Sequence, residues 1–269
     1  TCLRNTMQRR HWMILAAATA ATTTTGAQAQ VIDLSDAINK AGRQRMLSQR
    51  MGKAWLALVH QTSSANAQLV LDRSIALFDR QLVELKAYAP TPEIRDTYLK
   101  LEDVWSGYKG ALVGAAPNRS NAHAVLEADA KVLVLAHQGT VQYETALNRP
   151  VGKLVNVAGR QRMLSQRMAK FYLAAMLPVD ASVASTEITK SRTEFLSAMD
   201  LLRNAPQVTD RIHSELQLAD GQWFFFDQAL KNMQISGAKA RALSDVFVTS
   251  ENLLSVIDRV TGMYAAITT

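Results

Sequence analysis

Cysteine is almost absent from this chain. The single one, Cys2, precedes an apolar run instead of following it, so it is no lipoprotein acceptor. The remainder offers no disulfide and no thiol chemistry. Histidine is equally sparse. His11, His60, His123, His137 and His213 are scattered, and none stands at a two-histidine metal spacing. His123 and Glu127 share a helix face, a pairing that is usually structural. There is no nucleophile elbow, no glycine-rich phosphate loop and no paired acid in a motif. Ser48 and Ser165 have no base within their own motifs. These absences predict a protein that is not an enzyme and uses no cofactor and no metal. No segment alternates with a period of two between turns, so strands are not expected. No later segment holds about 18 uninterrupted apolar residues, the length a membrane span requires.

What the chain does have is a repeat. Residues 41 to 51 read Ala-Gly-Arg-Gln-Arg-Met-Leu-Ser-Gln-Arg-Met, and residues 158 to 168 read the same at all eleven positions, displaced by 117. Such identity marks a tandem repeat. At roughly 100° per residue, Leu47, Met51, Ala54 and Leu58 form one stripe, an ordinary core face. A second stripe carries Ile38, Ala41, Gly42, Arg45, Gln49, Gly52 and Leu56. It is small and apolar except for one arginine and one amide. A glycine inside a helix costs about 1 kcal/mol against alanine, so Gly42 implies close packing or binding. The second copy repeats the stripe with Gly159, Arg162 and Gln166. Arg43 and Arg50, like Arg160 and Arg167, lie on a third side, either as a solvated basic face or as secondary basic groups near a ligand. Arg45 and Arg162 share a face with residues suited to close contact. A buried arginine needs a partner, and neither motif window contains an acid. The partner must come from elsewhere in the fold or be a bound anion. Met46, Met51, Met163 and Met168 stand at helical spacing and read as gap-filling core rather than copper ligands.

Charge is distributed unevenly. The total is +7, from 30 basic and 23 acidic residues. Residues 38–53 contain five basic groups and no acid, and so do residues 153–170. Without these and without Arg4, Arg9 and Arg10, 17 basic residues face 23 acidic ones. Positive charge is therefore focused on two helices within an acidic body, which suits a small anion and excludes a nucleic-acid coat.

The prolines and turn clusters cut the chain into eight helices: 33–63, 66–89, 93–114, 120–147, 151–177, 182–204, 208–235 and 239–267. Asp33 or Ser35 caps the first. Pro90, Pro92, Pro117-Asn118, Pro178, Pro206 and Gly237 mark breaks, and Pro150 opens the second motif helix. Phe78 matches Phe195 at the same displacement, and Trp105 falls one residue from the match to Trp223. The short Asn148-Arg149-Pro150 junction would let the fourth helix run almost directly into the fifth. Trp223-Phe224-Phe225-Phe226 reads as core and interface packing. The expected architecture is all-α: two tandem up-down four-helix bundles packed through their motif helices. Residues 1–29 read as a signal peptide, with Arg9 and Arg10 before the apolar run Trp12–Ala21 and Ala27-Gln28-Ala29 as a cleavage site. The modules are then 30–148 and 149–269. The expected location is the bacterial periplasm, with an uncleaved inner-membrane anchor as the alternative.

The stretch Ile38 to Arg50 resembles the signature helix of PilJ-type and NarX/NarQ-type periplasmic sensor domains, and Asn156 to Arg167 resembles it again. The resemblance implies a four-helix bundle. It also implies that Arg45 and Arg162, three residues after Gly42 and Gly159, grip a ligand between paired helices, with Gln49, Gln166, Asn39 and Asn156 nearby. Where those receptors form a dimer, two modules in one chain would replace it. No HAMP-like segment, kinase or methyl-accepting domain is read here. The expected function is a sensor module that binds a small oxyanion, nitrate or nitrite, and reports to a membrane receptor or another signalling protein. A homodimer pairing like motifs is a further possibility. The alternative is an interaction or adaptor protein whose motif helices dock a receptor without any small ligand. Two guanidiniums about 6 Å apart would repel by about 3 kcal/mol at an effective dielectric near 20. An anion between them reverses that sign.

Overall fold

The computed structural model describes residues 30–177, 181–231 and 239–267. The expected signal segment, Pro178 and Gly237 lie outside them. Within the described residues the chain forms eight α-helices, a short 3-10 turn (Arg119–Asn121) and no strand. The helices are α1 (Leu34–Val59), α2 (Ser64–Tyr88), α3 (Pro92–Val113), α4 (Ala122–Leu147), α5 (Pro150–Ala175), α6 (Ala181–Arg203), α7 (Asp210–Lys231) and α8 (Lys239–Ala265).

Local chemistry explains their ends. Asp33 caps α1, its carboxylate accepting from the Asp36 amide at 2.8 Å. Thr91 caps α3 with Pro92 in the first turn, and Pro150 occupies the same place in α5. α4 ends at Asn148 in the left-handed region, with φ of 48°. The outer helices bury one stripe each. In α3 it is Ile94, Tyr98, Leu101, Trp105, Tyr108 and Leu112, spaced by threes and fours.

α1 packs on α2 and α4, and α3 closes the first bundle against them. α5 packs on α6 and α8, with α7 against α8. The bundles then join directly through α1 and α5. The two helices run parallel, because Ile38 meets Gly152, Gly42 meets Gly159, and Gly52 meets Lys170. The second stripe faces this contact, and Ile38, Ala41, Gly42, Arg45, Gln49, Gly52 and Leu56 are all buried. α1 and α5 are thus buried on nearly every side. This satisfies the expectation of two bundles packed through their motif helices.

The tandem relation extends beyond the motif. Phe78 stacks on Trp105 with centroids 4.1 Å apart, and Phe195 on Trp223 at 4.4 Å. Tyr143 donates to the Leu85 carbonyl at 2.7 Å, and Tyr264 to that of Leu202 at 2.8 Å. These tyrosines are displaced by 121 residues rather than 117, so α4 corresponds to α8 with four residues inserted before it.

Two expectations are corrected. α4 does not continue into α5. Lys170 meets Asp129 while Asn156 meets Glu144, so the two helices are antiparallel and the chain reverses at Asn148-Arg149. Parallel α1 and α5 require that reversal. The aromatic run divides by helix face: Phe226 is buried and Trp223 half-buried, but Phe224 and Phe225 are each 59% exposed, since consecutive residues cannot all face one core.

The approach of α1 to α5 yields a prediction. A Cβ at Gly42 would lie 3.2 Å from the Arg45 Nη2, 3.4 Å from the Arg162 Nη2 and 3.8 Å from the Gly159 Cα. Gly42→Leu should destabilise the protein by about 1–3 kcal/mol through overpacking, read as a lowered midpoint in thermal melts followed by circular dichroism. An unchanged midpoint would contradict the contact.

Candidate functional site

At the centre of the α1–α5 contact the two fully buried arginines cross over. Arg45 Nη2 donates to Asn156 Oδ1 at 2.7 Å and to the Asn156 carbonyl at 3.2 Å. Arg162 donates back to Asn39 Oδ1 at 3.0 Å and to its carbonyl at 2.9 Å. Each motif helix therefore holds the arginine of the other. Both Nη2 atoms also lie near one point, the place a Cβ on either Gly42 or Gly159 would occupy. This gives the glycines their reason: a Cβ at either would press on a guanidinium at 3.2 Å, and a large side chain would displace it.

The remaining partners come from α4 and α8. Arg45 Nη1 bonds His137 Nδ1 at 3.2 Å. Arginine only donates, so Nδ1 accepts and the imidazole proton sits on Nε2. Arg162 Nη1 donates to Asp258 at 2.5 Å. The Nε atoms of Arg45 and Arg162 are buried and meet no acceptor among the described residues. Burial, then the charges of Arg160 and Arg162, lowers Arg45 to about 9. Burial lowers Arg162 to about 10, with Asp258 acting in the opposite sense. Both stay cationic at neutral pH. Burial, with Arg45 and Arg160 beside it, lowers His137, against Glu194. The neutral ring adds no charge, so among the described residues only Arg162 of the two buried cations is bonded directly to a carboxylate, Asp258, which Arg43 shares; Glu144 acts on Arg45 from behind Asn156.

One turn on lies a second polar layer. Gln49 donates to Asp129 at 2.6 Å, and buried Lys170 pairs with the same carboxylate. Gln166 donates to the Ser250 carbonyl at 3.0 Å. Lys53, also fully buried, donates to Ser250 Oγ at 2.9 Å and to Glu251 at 2.6 Å. Gln49 and Gln166 thus belong to the neighbouring layer and do not reach the arginine crossing. Every ion pair of this layer that involves Lys53 or Lys170 joins one bundle to the other.

The four remaining arginines are each paired with an acid rather than forming a solvated face. Arg43 pairs with Asp258 at 3.0 Å, its side chain only 19% exposed. Arg50 pairs with Glu251, Arg160 with Glu194, and Arg167 with Glu187 at 2.5 Å. Arg43 and Arg50 in effect tie α1 to α8 of the other bundle. Docking of the motif stripes to an outside receptor is likewise corrected, because each stripe is buried against the other. The like motifs pair within this chain, as the tandem reading expected.

His137, Asp258, Asp129, Lys53, Lys170 and Glu251 were not found from sequence. His137 stood among the scattered histidines. The acids lie between 41 and 215 residues from their partners, and only the excess of acid outside the motif windows hinted at them. Met46, Met51, Met163 and Met168 are all buried, as gap-filling residues should be. His123 and Glu127 form an exposed pair at 3.3 Å.

The fold and site define an all-α protein of two helical bundles coupled through buried cations. The family described as PilJ, Type IV pili methyl-accepting chemotaxis transducer N-term, matches residues 14–131 and again 143–246, and the chain belongs to that family in two copies. Comparison with curated proteins and with solved structures gives no match. The chain is therefore a tandem sensor module of the chemotaxis-transducer kind, a class that works through signalling partners. Among the described residues, no helix is long and apolar enough to cross a membrane.

The cross-bundle carboxylates imply a pH dependence. Burial alone would raise Glu251, but Lys53 and Arg50 outweigh it and hold it at about 2, below its ordinary 4.5. Asp258 is likewise raised by burial but brought to about 2 by Arg162 and Arg43, below 3.8. Their folded values lie below the unfolded ones, so this stabilisation is complete above pH 4.5 and is lost as pH falls towards 2. Thermal melts should hold a steady midpoint down to that pH and then fall steeply. Glu251→Gln should be less stable at pH 7 and show a shallower fall.

Proposed function

We propose that this sensor module binds one small oxyanion, with nitrate or nitrite favoured, between Arg45 and Arg162. The supporting observation is the pair of buried guanidiniums that converge on the Gly42–Gly159 contact, with two orphaned Nε donors and one carboxylate between them. Guanidinium is planar and offers paired donors, which matches a planar oxyanion. An anion there offsets the mutual repulsion of the arginines and supplies acceptors to both Nε atoms. Asn39 and Asn156 hold the guanidiniums in place, and the glycines leave room for them.

Binding then acts on the interface between bundles. The ligand favours the arrangement in which the two arginines lie together, and that arrangement also brings α8 onto α1 and α4 onto α5. A shift in its population is the signal. The proposed location is the periplasm, reached through the signal segment 1–29 or held at the inner membrane by it. The modules 30–148 and 149–269 act as one unit that reports to a membrane receptor or another signalling protein.

Calorimetric titration of nitrate, nitrite, sulfate and chloride into the purified chain tests this reading. One site per chain is expected for nitrate or nitrite. Arg45→Ala and Arg162→Ala should each abolish most of the binding, and the double variant should be little worse than either. No heat and no thermal shift with any of the four anions, from the wild-type chain and from Asp258→Asn alike, would end the reading. Two independent sites per chain, each lost with one arginine, would replace it by separate modules.

A further inference from the structure

The repeat is identical at the arginines but not at the residues that face them. His137 on α4 and Asp258 on α8 occupy corresponding places, at the same 121-residue displacement that relates Tyr143 to Tyr264. Arg45 bonds His137, and Arg162 bonds Asp258. The next shell differs to match. Arg43 shares Asp258, whereas its counterpart Arg160 turns to Glu194 on α6. The residue that corresponds to Glu194 in the first module is Leu77. On one side of the crossing, then, the acid stands directly on the buried arginine. On the other side no acid among the described residues touches the buried arginine: Arg45 meets His137, Glu144 reaches it only through Asn156, and Glu194 on α6 pairs with Arg160.

The same side is also open. A cavity of about 210 Å³ lies between α4, α5 and α6, lined by His137, Arg160, Arg167 and Lys190 with Glu187 and Glu194. His137 is exposed there while its Nδ1 reaches the buried Arg45.

We infer that the anion site is one-sided: Asp258 is a built-in carboxylate competitor that neutralises Arg162, and Arg45 with His137 forms the half that grips and admits the ligand. This rests on the oxyanion reading above and goes beyond it, because two identical arginines are given unequal roles. Asp258 accepts from Arg162 Nη1 as a bound oxyanion would, so the tandem chain carries one permanent ligand mimic. A carboxylate at the His137 place would supply the second and close the site.

The test is nitrate titration by calorimetry on the wild-type chain, Asp258→Asn and His137→Asp, with circular dichroism to establish folding. Asp258→Asn keeps the acceptor oxygen and removes the charge. It should bind nitrate about tenfold more tightly, as expected for deleting one like charge beside the ligand. His137→Asp gives buried Arg45 a carboxylate partner. It should melt at or above the wild-type temperature and lose at least about tenfold in affinity by the same argument. Binding by Asp258→Asn where the wild type shows none would support the inference in its strongest form. Wild-type binding with both variants unchanged, or with Asp258→Asn weaker, would overturn the one-sided site and leave the oxyanion reading standing. No binding by either the wild type or Asp258→Asn would overturn both. Should Asp258→Asn not fold, folded His137→Asp decides alone: lost affinity supports the inference and unchanged affinity overturns it.

Discussion

The close parallel contact of α1 with α5 is the constraint on which the rest of the structure depends. Gly42 and Gly159 let two helix backbones approach until each arginine reaches the asparagine of the opposite helix. A buried cation is expensive unless paired and hydrogen-bonded. Here the backbone and side chain of Asn39 and Asn156 provide most of the bonding without cancelling the charge. The two guanidiniums are thus fixed by neutral partners, with Asp258 the one carboxylate among the described residues bonded to either of them. That combination is unusual for a bundle core and is suited to a charged ligand.

Around this centre a set of ion pairs joins one bundle to the other. Lys53 and Arg50 reach Glu251, Lys170 reaches Asp129, and Arg43 reaches the Asp258 that Arg162 holds within its own bundle. Such pairs add little net stability once desolvation is counted, but they penalise any arrangement that separates them. They set which surfaces of the two bundles meet. Relative motion of the bundles would strand buried lysines without acids, so α1 and α5 are coupled to α4 and α8 as one unit. On the proposed reading, a ligand at the arginine crossing would act on that unit directly.

A covalent tandem can lose symmetry where a dimer of identical subunits cannot. The motif helices have stayed identical, because both must pass a backbone at glycine distance and present an arginine to the same point. The helices behind them have diverged. His137 against Asp258, and Leu77 against Glu194, show that each half of the central site now has its own electrostatic surroundings.

The sequence by itself determined the repeat, the all-α class, the helix breaks among the described residues and the placing of Arg45 and Arg162 on the close-contact stripe. These follow from local rules: helical periodicity, proline and capping chemistry, and the spacing of glycine from arginine on one stripe. It also signalled that the arginines needed partners the motif did not contain. The tertiary structure decided which partners they have. His137 and Asp258 are reached through α4 and α8, and no period or spacing links them to the motif. It also separated Gln49 and Gln166 from the arginine layer, although they share its stripe. One helical turn is enough to place an amide beside a different set of neighbours. The chain reversal at Asn148 and the exposure of Phe224 and Phe225 were likewise decided in three dimensions. Both depend on the direction in which whole helices pack, and a local pattern carries no record of that direction.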